Sequence, residues 1–137
     1  MNDTSVIRGK MGELAAARYL RDGGYEIIDA NFKTRLGEID IIAFKDDFVV
    51  FCEVKTREND AHGRPAEYVT YSKRRKLIIA ALQFMKMYNI ENRMRFDVLE
   101  VYIGRNGDYR NAKINHIKSA FTGDESPFIL NQGRSKL

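Results

Sequence analysis

The sequence predicts an α/β fold, and three features carry that prediction. The stretch Gly37 to Arg57, GEIDIIAFKDDFVVFCEVKTR, reads as an antiparallel hairpin of two apolar strands. A helical stripe from Tyr71 to Tyr88 separates that hairpin from a further strand, Met94 to Ile103, which is the pattern of a β-α-β crossover with parallel, right-handed pairing. An earlier helix ends at the pair Gly23-Gly24.

In chain order, Val6 to Asp22 forms the first helix, with Leu14, Ala15, Ala16, Ala17, Tyr19 and Leu20 as helix-compatible residues and the two glycines as its stop. Glu13 shares a helical face with Ala16, Ala17 and Leu20. Small alanines let that face approach a sheet closely and would carry Glu13 towards the hairpin. The plainer alternative is an acid placed to favour the helix dipole. Tyr25 to Phe32 is an edge or near-edge strand, and Lys33 to Gly37 connects it to the hairpin.

Ile39 to Phe44 and Phe48 to Thr56 are rich in β-branched and aromatic residues and contain neither Pro nor Gly. A two-residue loop at Asp46-Asp47 sets Lys45 opposite Phe48, Phe44 opposite Val49 and Ile42 opposite Phe51. Continued, that register pairs Asp40 with Glu53 and Glu38 with Lys55, all on one face. Opposed carboxylates are costly in a sheet, because they repel and because partial burial hinders ionisation. A cation between them offsets the cost. Lys55 is one candidate and a divalent ion, Mg²⁺ or Mn²⁺, the stronger one, since such ions favour oxygen donors. The alternative is a solvated sheet edge with no role.

Beyond Arg57, the polar stretch Glu58 to Pro65 is read as an exposed loop, in which His62 is either a solvated histidine or a ligand or base. In the second helix Leu77, Ile78, Ala81, Leu82, Phe84, Met85 and Tyr88 form a core stripe. Its start carries Lys73, Arg74, Arg75 and Lys76, where the macrodipole disfavours cations. That placement suggests phosphate contacts over a merely solvated basic turn. After the strand Met94 to Ile103 come an Asn106-Gly107 turn and one more strand, Tyr109 to Ile117.

The 137 residues suit a single domain with a core at about 6–118 and a loosely packed tail at 119–137. A composition of 44% hydrophobic and 31% charged residues excludes a disordered chain. The net charge of +4 leans towards a polyanionic partner. One cysteine, Cys52, on the strand face opposite the carboxylates, excludes an internal disulfide and suits a reducing cytoplasm. No apolar run approaches a membrane span, so no membrane partner is expected.

An acid on the first helix, an Asp on one strand and E-x-K on the next resembles the PD-(D/E)xK nuclease superfamily, including archaeal Holliday-junction resolvases. The closer resemblance is to the bacterial YraN family of nuclease-like proteins. It rests on Gly12-Glu13, Asn31, Gly37-Glu38-Ile39-Asp40-Ile41-Ile42-Ala43, Glu53-Val54-Lys55-Thr56-Arg57, Lys73 and Arg95-Phe96-Asp97-Val98, from about Gly9 to Ile103. Two departures are Lys33 where Arg is expected and the lack of Pro before Asp40.

That resemblance implies a restriction-endonuclease-like fold, a mixed β-sheet flanked by helices. It also implies that Asp40 and Glu53 ligate Mg²⁺ or Mn²⁺, with the backbone carbonyl of Val54 and the Glu13 carboxylate completing the site. Lys55 would orient or deprotonate the attacking water, and Glu38 would set the position of Lys55. Arg35, Arg57, Arg64, Lys73, Arg74 and Arg95 are the expected phosphate contacts. The expected partner is nucleic acid, DNA in the first instance, and a homodimer would suit two matched cuts. Two functions follow: a metal-dependent endonuclease on branched or damaged DNA, or a binding module that keeps the fold without turnover. The intact Asp40, Glu53 and Lys55 set favours the first.

Overall fold

The computed structural model describes residues 4–58, 69–104 and 107–122. Helix α1 (Thr4–Asp22) leads into strands β1 (Glu26–Lys33), β2 (Glu38–Lys45) and β3 (Phe48–Glu58). Helix α2 (Tyr71–Met87) and strands β4 (Arg93–Ile103) and β5 (Lys113–Phe121) follow. The five strands form one sheet in the order β1-β2-β3-β4-β5. β3 and β4 pair in parallel across α2, as the crossover pattern predicts, and the other neighbours are antiparallel. The sheet is therefore mixed.

The two helices cover opposite faces. On one side Ala15, Ala16 and Leu20 of α1 pack with Ile41, Ala43, Val50, Cys52, Leu99 and Val101. On the other Leu77, Ile78, Ala81 and Phe84 of α2 pack with Ile42, Val49, Phe51, Phe96 and Val98. Both faces of β3 and β4 are buried, which is why these strands read as near-continuous apolar runs. Among the described residues no helix is long and apolar enough to cross a membrane.

α1 ends as Gly23-Gly24 predicts. Gly24 takes φ +87°, its N–H donates to the Arg21 carbonyl, and the Tyr25 N–H reaches back to Leu20, a Schellman pattern. α2 begins at Thr70, whose Oγ1 accepts from the Lys73 N–H, a cap absent from the sequence reading. The last strand lies four residues later than expected, at Lys113–Phe121 instead of Tyr109 to Ile117. Tyr109 and Ala112 instead close a turn, in which Asp108 accepts from Arg110 N–H and Asn111 Nδ2. Phe121 is buried, so the folded sheet extends past residue 118 into the expected tail. The rest of that tail, from 123, and the loop bearing His62 and Arg64 lie outside the described residues.

α1 sits close to β3 at Gly12. A Cβ on Gly12 would lie 1.9 Å from Thr56 Oγ1, 3.0 Å from its Cβ and 3.2 Å from its Cγ2. In a free helix Gly12→Ala would gain about 1 kcal/mol. Overpacking here costs about 1–3 kcal/mol. We therefore expect Gly12→Ala to lower the thermal midpoint, and Gly12→Ala combined with Thr56→Ala to recover part of the loss. A Gly12→Ala variant more stable than the parent would contradict this close approach.

Candidate active site

The hairpin register is as predicted near the turn, from Lys45↔Phe48 to Ile41↔Cys52, and stops there. The expected Asp40↔Glu53 and Glu38↔Lys55 pairs do not form. β3 runs on beside β4 as far as Glu58↔Ile103, while β2 turns to β1, where Glu38 pairs with Lys33. Between the pairs Ala30↔Ile41 and Phe32↔Ile39 sits Asn31 at φ 56°, a left-handed conformation that Asn adopts more readily than most residues. Strict alternation along β2 also breaks here: Ile39 packs on the α2 side with Ile42, Ile41 on the α1 side with Ala43.

Asp40 occupies this break. Its Oδ2 accepts the Val54 N–H at 2.8 Å, so the carboxylate takes over a donor that the ended ladder leaves without a strand partner. Glu53, next to Val54, is buried at 6% exposure and lies on the α2 side of β3 with Phe51. Glu13 approaches from α1. Asp40, Glu53 and Glu13 line one cavity of about 380 Å³, together with Val54, Arg8 and Thr56. The acids thus converge, as expected, but at the splaying point of two strands and not across a ladder.

Their electrostatics follow from that placement. Burial, then repulsion from Glu53 and from Glu13, pushes the Asp40 carboxyl up to about 7. The Val54 N–H and the Lys73 ammonium act in the opposite direction and are outweighed. Asp40 is the group whose charge this fold opposes.

The cation beside Glu53 is Lys73, with Nζ 2.7 Å from Oε2. Burial acts to depress this ammonium, but the bond to Glu53 and attraction to Asp40 and Glu38 hold it above its usual range. Lys55 is half-buried, neighbours Glu100 across the β3–β4 pairing and makes no ion pair with Glu53 among the described residues. The expected Glu38 to Lys55 partnership is replaced by proximity of Glu38 to Lys73, since both line a second cavity of about 350 Å³ with Lys76, Thr70 and Ser72.

Several cations expected to hold phosphates have internal partners instead. Arg95 is clamped by both oxygens of Asp97, at 3.0 and 2.8 Å, and donates to Tyr25 Oη at 2.6 Å. Arg57 donates to the buried Glu100 at 3.2 Å. Arg74 donates to the Val69 carbonyl and lies over the Tyr71 and Phe121 rings. Arg35 is exposed on the β1–β2 connection. Glu100 and Asp97 were legible as a signal, because two acids inside the apolar strand MRFDVLEVYI need buried partners.

Among the described residues no three His, Cys, Asp or Glu side chains are arranged together to hold a metal ion. The donor chemistry still suits a hard divalent ion, with two neighbouring carboxylates, one of them resisting ionisation. Glu53 is paired with Lys73.

The family model described as "Uncharacterised protein family UPF0102" matches residues 12–101. A UPF0102 protein of Rhodococcus opacus (strain B4) is 43% identical over 114 residues, covering 82% of this chain and 94% of its own. One of Clostridium beijerinckii (strain ATCC 51743 / NCIMB 8052) is 45% identical, covering 82% and 91%. One of Alkaliphilus oremlandii (strain OhILAs) is 43% identical, covering 82% and 96%.

Proposed function

Because the chain belongs to the UPF0102 (YraN) family, whose name assigns no activity, we propose its function from the site: hydrolysis of phosphodiester bonds in DNA, including branched or damaged DNA. The observation that carries this reading is the half-buried Asp40 set beside the buried Glu53 despite their mutual repulsion. A fold gains nothing from that repulsion, and perturbed acids in a cavity are the usual mark of a working site. The helix-covered mixed sheet with the acids at a strand divergence is read here as a restriction-endonuclease-like fold.

In this reading Asp40 and Glu53 would hold Mg²⁺ or Mn²⁺, with the Val54 carbonyl as a further ligand and Glu13 acting through a water. The ion, when bound, would acidify a water and neutralise charge developing on the phosphoryl oxygens. Asp40 is kept in place by the Val54 N–H, and the residue lines the cavity. Lys55, two residues after Glu53, orients the attacking water and donates to the phosphoryl oxygen. Thr56 against Gly12 fixes how closely α1, and with it Glu13, approaches the site. Arg35 and Lys76 are exposed and available to backbone phosphates.

A second reading, a nucleic-acid-binding module without turnover, is favoured by one observation: Lys73 already neutralises Glu53. The two separate in one assay. With Mg²⁺ or Mn²⁺ the protein should nick or cut DNA, tested on branched, single-stranded and duplex substrates. EDTA should abolish cutting, and Ca²⁺ should support binding with little cleavage, because its shell is looser than in-line attack requires. Tight binding with no cleavage of any substrate would establish the binding module.

A further inference from the structure

We propose that the Lys73 ammonium and a divalent cation compete for Glu53, so that cation binding releases Lys73 to hold a phosphate of the bound strand. This rests on the metal reading of the acid site. Glu53 is buried while the Lys73 side chain is 47% exposed, so of the two partners the lysine is the one free to leave. It sits in the first turn of α2, three residues after the Thr70 cap, where the helix macrodipole disfavours a cation. What holds it there is the acids. A divalent ion between Asp40 and Glu53 would remove that attraction and repel the ammonium at close range.

The place it would go is already formed. Lys73 lines the second cavity with Glu38, Lys76, Thr70 and Ser72. Lys73 and Lys76 are three residues apart and so share a helix face. A released Lys73 therefore joins a second ammonium beside the acids, where a phosphate adjoining the cut bond would pass. Cation and strand then favour each other's binding, and the effect is reciprocal by linkage. Lys55, which has no such tie to Glu53, keeps its separate role at the reacting phosphate.

The test compares Lys73→Met and Lys73→Gln with Lys76→Met, which removes the same charge one turn away. Binding of Mn²⁺ to the free protein is measured by calorimetry, and binding of a labelled single-stranded DNA by anisotropy with and without Ca²⁺. Both Lys73 variants should bind Mn²⁺ about tenfold more tightly than the parent, the scale of one lost charge-assisted hydrogen bond. Lys76→Met should stay within about twofold, as expected for an exposed charge without that bond. Ca²⁺ should tighten strand binding by the parent more than by the Lys73 variants, which have no ammonium to release. Binding of Mn²⁺ by the Lys73 variants alone would also support the competition. If the parent binds Mn²⁺ and the Lys73 variants bind it no more tightly than Lys76→Met, the competition is overturned and the metal reading stands. If neither parent nor variants bind Mn²⁺, both fall.

Discussion

Asp97→Ala should cost the fold about 3–5 kcal/mol, seen as a lower urea midpoint at unchanged slope. Asp97 is fully buried on the α1 side, and four donors converge on it. Arg95 binds both oxygens, His116 Nε2 lies 2.7 Å from Oδ2, and the Ser119 N–H reaches Oδ1 at 3.0 Å. Ser119 is at φ 52° where the β4–β5 register shifts, so the carboxylate also satisfies a backbone donor that the irregular ladder drops. His116 in turn bonds Tyr19 of α1, and Arg95 bonds Tyr25. Removing the acid leaves a guanidinium at 13% side-chain exposure without its counter-charge. The burial penalty acts upward on Asp97, but the bonds from His116, Arg95 and Ser119 outweigh it and hold the carboxyl below its ordinary 3.8. A depressed acid stabilises the fold above its unfolded value, so this contribution should be lost as pH falls below about 4. A loss under 1 kcal/mol in Asp97→Ala would mean that the network is not formed in solution.

The contrast between what could and could not be read in the sequence is a contrast between local and non-local physics. The turn at Asp46-Asp47 and the pairs next to it follow from alternation and a two-residue loop, which are local, and they are as expected. The end of that ladder depends on which third and fourth strands compete for β2 and β3, and nothing within residues 37–57 encodes it. Hence Asp40 and Glu53 were rightly brought together but by the wrong geometry. The pairing of Lys73 with Glu53 is not legible because only the folded chain brings the start of α2 against a residue 20 positions away in sequence. β5 was misplaced because an edge strand with half of its residues half-buried shows weak alternation, while Tyr109 carries a strong strand propensity into what is a turn. The phosphate contacts expected of Arg95 and Arg57 leave out the two acids inside the apolar strand MRFDVLEVYI, which need buried partners and take these guanidiniums.

Asp40→Asn should raise stability and remove activity together, and that conjunction separates a working site from a structural one. Asparagine is nearly isosteric and its carbonyl oxygen can still accept the Val54 N–H, so the geometry at the strand divergence is kept. What disappears is a charge that burial and the neighbouring Glu53 and Glu13 oppose. With the folded carboxyl at about 7 against an ordinary 3.8, the folded state binds more protons than the unfolded one between those values. Parent stability should therefore fall as pH rises from about 4 to 7, the opposite of the Asp97 contribution. Above that window the ionised Asp40 costs about 2–4 kcal/mol, and Asp40→Asn should recover much of it, a rise of about 5–10 °C in thermal midpoint at pH 8. The variant's stability should also be flatter across pH 4–7. On the hydrolase reading, losing this carboxylate should at the same time reduce Mg²⁺-dependent cleavage by about a thousandfold or more, since the ion's stabilisation of the transition state would amount to several kcal/mol. An Asp40→Asn variant that melts lower than the parent at pH 8 would make Asp40 a structural acid, and the hydrolase reading would lose the observation that carries it.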